Sequence, residues 1–207
     1  MKKINKKEAL LLLKKANKMN KGQWYEHSLN AAMICERFAR NLNLDTEYAY
    51  CIGILHDIGR RFGITGARHA YDGYIYLKEL GYENIGRYCL THSYFLKNVR
   101  NTPAFWDLSE EEEKFMDEYL NKLEYNLYDK IIQLADAMAL PNGITIAERR
   151  FIDVYLRKGV NSNTVENWKA FYKMQEEIES NLGFSIYKLF PEVKNVDEFL
   201  IKDILIY

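Results

Sequence analysis

The sequence is short of most things that interrupt a helix. Among 207 residues there are 3 Pro and 11 Gly, too few turn formers for a sandwich of many short strands. Cysteine is equally scarce: Cys35, Cys51 and Cys89 stand in apolar stretches and form no CxxC pair. That excludes a disulfide framework and a thiolate metal site, and leaves small buried thiols of a reducing compartment. Charge of one sign is also lacking. The 29 Lys and Arg balance 29 Asp and Glu, so no global field draws in nucleic acid or an anionic membrane, and an anionic partner must be met locally. No apolar run approaches the roughly 18 residues of a membrane span. The basic N-terminus holds only Ala9 to Leu13 before Lys14 and Lys15, with no small-residue cleavage site after them. It reads as an amphipathic helix rather than a signal peptide, and a cytoplasmic protein is expected.

What is present is apolar and aromatic. With 48% hydrophobic and 14% aromatic residues the chain has material for a core, and its length suits one domain, or one with an appendage. Apolar residues recur at spacings of three and four, which predicts about nine helices, near 6–19, 25–42, 46–58, 67–80, 83–92, 109–121, 126–139, 144–158 and 163–182. Gly59, Gly63, Gly81, Asn142-Gly143 and Gly159 mark junctions between them. The expected fold class is all-α. The segment 93–110, with Pro103 and four aromatics, reads as an ordered loop or lid, and Glu110 to Glu113 as the acidic first turn of the next helix. The tail VKNVDEFLIKDILIY suits either a short helix or a terminal strand.

The chemistry gathers on four histidines, at 27, 56, 69 and 92. His27 is in register with Ala31, Ile34 and Phe38, His56 with Ala49 and Ile52, His92 with Ile85 and Cys89, and Asp136 with Ile132 and Leu140. Each therefore points inward, with Asp57 beside His56. A buried unpaired carboxylate costs several kcal/mol, so Asp57 and Asp136 demand cations, and those faces offer no obvious Lys or Arg. One inward His is more often a hydrogen-bonded core residue than a ligand. Four of them with two Asp reverse that expectation, because a pair of divalent cations satisfies the whole set. Imidazole and carboxylate without thiolate suit iron, manganese, nickel or cobalt, with magnesium weaker for so many nitrogens and zinc less natural.

These residues carry a resemblance. His27, the pair His56-Asp57 in ILHDIGRR and Asp136 in QLADAMALP stand in the order of the HD-domain superfamily of metal-dependent phosphohydrolases, which the chain resembles over about residues 25–150. The resemblance implies a compact helical bundle with a buried metal site, formed by residues 1–207 as one domain with an added N-terminal helix and a C-terminal helical extension. It assigns His27, His56, Asp57 and Asp136 to one metal. His69, in ARHAYDGYIYLKELGY, and His92, in YCLTHSY, match the two further histidines of the dinuclear branch and imply a second metal bridged by Asp57. Two divalent ions follow, iron or manganese first, with nickel, cobalt and magnesium as alternatives. The whole pattern is similar to small bacterial HD proteins that cleave dinucleoside tetraphosphates symmetrically. Those proteins usually carry a Lys-containing segment after the pair, where this chain has Arg60-Arg61, and the segment 93–125 and the extension after about 150 are not obviously shared.

Other residues allow two readings. Arg60 and Arg61 could hold a phosphate in a guanidinium fork, or one of them could cap a helix C-terminus. Lys97 and Arg100 are solvated charges of the lid or contacts to a second phosphate. Tyr71, Tyr74 and Tyr76 belong to the core or stack on a base. Glu148-Arg149-Arg150 is an exposed helix face from which one Arg could reach the mouth of the site.

The functional expectation is a phosphohydrolase acting through a hydroxide activated by two metals, with His56, Asp57, Arg60 and Arg61 as its catalytic set. No Ser or Cys stands beside a His in the manner of a triad. The expected partner is a phosphorylated small molecule, a nucleotide or a dinucleoside polyphosphate, with neither nucleic acid nor membrane involved. A regulatory or ligand-binding module with structural metal is the competing class, opposed by the intact ligand set. An HD-type di-iron oxygenase is the enzymatic alternative.

Overall fold

The protein is described by a computed structural model over residues 2–195. In chain order the helices are α1 (Lys6–Met19), α2 (Trp24–Asn41), α3 (Thr46–Leu55), α4 (Arg68–Glu79), α5 (Glu83–Thr91), α6 (Glu110–Lys122), α7 (Leu127–Met138), α8 (Ala147–Lys158) and α9 (Thr164–Leu182). Local chemistry sets many of their starts. Asn5 with Glu8, Ser109 with Glu112 and Asn126 with Asp129 close reciprocal capping boxes at α1, α6 and α7, and Asp45 accepts from the Tyr48 amide at α3.

α3 is the centre of the bundle. Ala49, Cys51, Ile52, Gly53, Ile54 and Leu55 are all buried, so the helix is apolar all round, as a fully enclosed helix must be. α2 packs extensively against it and reaches α7, α1 also packs on it, and α4 packs against α5. The α2–α3 approach depends on Gly53: a Cβ there would sit 2.5 Å from Ala32 Cα. Cys35, Cys51 and Cys89 are free, buried thiols. Among the described residues no helix is long and apolar enough to cross a membrane.

The helix expected over 46–58 stops at Leu55, and a 3-10 helix follows over Ile58–Phe62. In a continuing helix the Asp57 amide would bond the Gly53 carbonyl, but that oxygen accepts from His56 Nδ1 at 2.7 Å. Asp57 takes φ −102° and ψ 13°, and the chain turns. A second difference lies after α7. The expected helices 126–139 and 144–158 each give up residues to a short antiparallel pair, β1 (Ala139–Leu140) and β2 (Gly143–Ile144), turned by Pro141 and Asn142. The segment 93–110 is tied down: the Asp107 carboxylate accepts from the amides of Gly66 (2.7 Å) and Arg68 (2.8 Å) at the start of α4. The tail opens as a 3-10 helix over Pro191–Asn195, and its remainder, 196–207, lies outside the described residues.

Candidate metal centre

Six side chains from five helices and one turn converge. His27 comes from the first turn of α2, His56 caps α3, Asp57 stands in the turn behind it, His69 opens α4, His92 caps α5 and Asp136 lies near the end of α7. The turn carrying Asp57 approaches α4 so closely that a Cβ on Gly59 would lie 2.0 Å from the His69 carbonyl oxygen. Glycine is thus what brings Asp57 and His69 together: Asp57 Oδ1 is 3.2 Å from His69 Nε2 and 3.7 Å from His92 Nε2. On the other side of the cluster His27 Nε2 is 3.0 Å from Asp136 Oδ1, and His56 Nε2 is 3.6 Å from the same oxygen and 3.9 Å from Asp57 Oδ2. His27, His56 and Asp57 form one group that could hold a metal ion, and Asp57, His69 and His92 another. Asp57 is common to both.

The imidazoles are aimed by the backbone. Nδ1 of His27 meets the Ala139 carbonyl at 3.1 Å, of His56 the Gly53 carbonyl at 2.7 Å, of His69 the Gly66 carbonyl at 2.5 Å and of His92 the Cys89 carbonyl at 2.8 Å. A carbonyl only accepts, so these partners place a proton on Nδ1 in all four rings, and in the neutral form of each ring Nε2 keeps its lone pair. Four lone pairs then face the centre, and Asp57 Oδ1, also buried, has no hydrogen-bond donor. Acceptors converging on acceptors call for a cation, and imidazole nitrogen with carboxylate oxygen is a donor set suited to divalent transition metals. The residues present fit metal ions.

The electrostatics agree. Burial opposes ionisation of Asp57, yet Arg60 and the imidazoles of His56 and His69 hold its carboxyl well below the usual range. Burial opposes ionisation of Asp136 too, and the adjacent His27 and His56 hold it well below that range. Burial, reinforced by the neighbouring His56, pushes the His92 imidazole down to about 3, so it stays neutral and able to ligate. The ligand faces seemed in the sequence to lack a cationic partner, and here the break after α3 supplies one. The turn folds Arg60 back onto Asp57, with Nε 2.6 Å from Oδ2, and places Nη2 3.4 Å from His69 Nε2.

The other candidates separate. Arg61 turns away to the Tyr76 ring, 3.9 Å from its centroid, and to Met19 Sδ. Lys97 donates to the Leu123 carbonyl, and Arg100 pairs with Glu113 and covers Trp106. Tyr74 packs on Phe115 and Tyr119, and Tyr71 on Phe115. Five of the six, all but the fully buried His56, form the floor of a cavity of about 790 Å³, and Arg60, Trp24 and Phe95 line it. Arg150 does reach this cavity, together with Arg157 and Lys158, which the sequence reading passed over. Their signal was there: Arg150, Asp153 and Arg157 recur at spacings of three and four on α8. Asp136, its side chain 30% exposed against 5% for Asp57, marks the open side of the cluster.

The HD domain family matches the chain over residues 24–140, which holds all six converging side chains. No curated protein and no solved structure matches it.

Proposed function

Because the chain belongs to the HD domain family, we propose that it is a metal-dependent phosphohydrolase with a dinuclear centre, acting on a nucleotide or a dinucleoside polyphosphate. One observation carries the reading: Asp57 is shared by two groups of ligand atoms, each able to hold an ion. His27, His56, Asp57 and Asp136 would hold the first, and Asp57, His69 and His92 the second. Iron or manganese suits this nitrogen-rich set best. Such ions, when bound, make water nucleophilic near neutral pH and offset charge developing on phosphoryl oxygens.

The chain's own residues do the rest. The four backbone carbonyls keep each Nε2 pointed inward, so no ring has to reorient when the site is filled. His56 is fully buried, and His92, Asp57, His69 and His27 are nearly so, so the substrate approaches through the cavity that His27, Asp57, His69, His92 and the more open Asp136 line. Arg60 steadies Asp57 through Nε, and its remaining N–H groups can donate to a phosphoryl oxygen. Protein loaded with iron, manganese, cobalt or nickel should cleave a phosphorylated compound from a panel of dinucleoside polyphosphates, nucleoside mono- and diphosphates and phosphodiesters, dinucleoside tetraphosphate first. Failure on the entire panel with every metal overturns the reading.

A further inference from the structure

The cavity exceeds what a metal centre alone requires. At about 790 Å³ it has the size of pockets that enclose most of a drug-sized molecule, and one phosphoryl group at the floor would leave much of it to water. Part of its wall is α8, which lies beyond the span matched by the family and turns Arg150, Arg157 and Lys158 toward it. Asp153, also at the wall, sits between the two arginines. It takes an N–H from Arg150 Nη1 at 3.1 Å and two from Arg157, Nε at 3.2 Å and Nη2 at 2.8 Å.

That arrangement fixes two guanidinium groups on one helix face while consuming a minority of their donors. It also leaves two positive charges in excess on four neighbouring residues of a chain that is neutral as a whole. The lining is also aromatic: Phe95 and Phe151 of α8 pack edge to face, and Phe151 rests on Phe171 behind them. A cavity with phosphoryl chemistry at its floor, rings along its side and forked cations on its wall is built for a ligand with more than one anionic group.

We propose that Arg150, Arg157 and Lys158 of α8 form a second anion site, which binds a phosphate of the substrate remote from the one at the metal centre. It rests on the phosphohydrolase reading for its meaning but is measurable without turnover. Metal-loaded protein is titrated calorimetrically with sodium tripolyphosphate and with inorganic phosphate, at low and at moderate salt. In R157Q/K158Q, affinity for tripolyphosphate should fall about tenfold or more, as the loss of a charge-assisted hydrogen bond implies, and its salt dependence should flatten. Metal content and affinity for inorganic phosphate should not change. A control, K14Q/K15Q on the exposed face of α1, should bind tripolyphosphate as the parent protein does.

Equal affinity of R157Q/K158Q and parent protein for tripolyphosphate overturns the site, and so does an equal loss in the control, which would make the effect diffuse charge. The two readings fail separately. Selective loss in R157Q/K158Q with no phosphorylated compound cleaved leaves the anion site standing and removes the hydrolase. Cleavage with unaltered tripolyphosphate binding does the reverse.

Discussion

His27 and His56 face each other with their Nε2 atoms 3.2 Å apart, and the Nδ1 of each ring is bonded to a backbone carbonyl. Two neutral rings held this way cannot hydrogen-bond to one another. His69 and His92 repeat the relationship at 3.3 Å, and Asp57 lies against both pairs. Only a positive charge between the members of each pair satisfies all of them at once.

Replacing the shared carboxylate should therefore do more damage than removing one imidazole. Asp57→Ala is expected to lose both ions and all detectable hydrolysis. His92→Ala should keep close to one ion and a residual rate, because the group of His27, His56, Asp57 and Asp136 survives. Its second-ion affinity should fall by at least the roughly 10–100-fold that losing an outer partner of a ligand costs. Elemental analysis beside initial rates checks this, and equal, mild effects from both substitutions would contradict the shared role.

Metal should also be a stabiliser of the fold. Two depressed carboxylates lie among four imidazoles, with one guanidinium beside them, and their mutual repulsion is relieved by bound cations. An ion at 100 times its dissociation constant contributes about 2.7 kcal/mol. For a chain of this size that is a Tm shift of about 5–10 °C. Thermal denaturation before and after chelation should show a drop of that order, reversed by re-adding manganese. A Tm indifferent to the chelator would mean that the cluster is satisfied without metal.

Gly59 is the packing position most exposed to test. A Cβ there would meet the backbone of α4, the His69 oxygen at 2.0 Å and the Gly73 nitrogen at 2.6 Å, and backbone cannot swing aside as a side chain can. Gly59→Ala should cost about 3 kcal/mol in urea denaturation and lower metal content by moving His69 away from Asp57. Full metal content with an unchanged midpoint would show that the turn and α4 can separate without harm.

Away from the centre, Asp129 is fully buried and held by Arg87, at 3.2 Å from Nε and 2.5 Å from Nη2, and by Thr91 Oγ1 at 2.8 Å. Gln133 adds a bond from Nε2 to the Thr91 carbonyl at 2.8 Å. The network joins the end of α5, just before His92, to α7, just before Asp136. Arg87→Met leaves a buried carboxylate without its counter-charge, which costs about 3 kcal/mol. Chemical denaturation measures it, and a loss under about 0.5 kcal/mol, the range of ordinary surface substitutions, would show that Thr91 and the backbone suffice.

Much of this was legible because helix periodicity is a local signal. The inward register of His27 beside Ala31, Ile34 and Phe38 needs only the spacing of 3.6, and the structure does place all six named side chains within a few ångströms of one another. The stop after Leu55 was not legible, since it depends on a histidine side chain taking a carbonyl from its own helix. For the same reason Arg60 could not be seen as the partner of Asp57, because only the turned chain brings them together. The pair Ala139–Leu140 and Gly143–Ile144 is too short for alternation to register. Arg157 and Lys158 were visible as letters, but that α8 borders this cavity is a fact of chain tracing that periodicity does not contain.

The histidine locks differ in where they come from. His56, His69 and His92 each bond a carbonyl three residues back, on Gly53, Gly66 and Cys89. The tautomer of these rings is thus decided by a stretch of four residues, as soon as the local helix end or turn exists. His27 answers to Ala139, 112 residues further along the chain. A nascent chain can carry three rings already set and one still free, so the last donor to be oriented waits on docking of β1, a step that follows synthesis of nearly the entire HD segment.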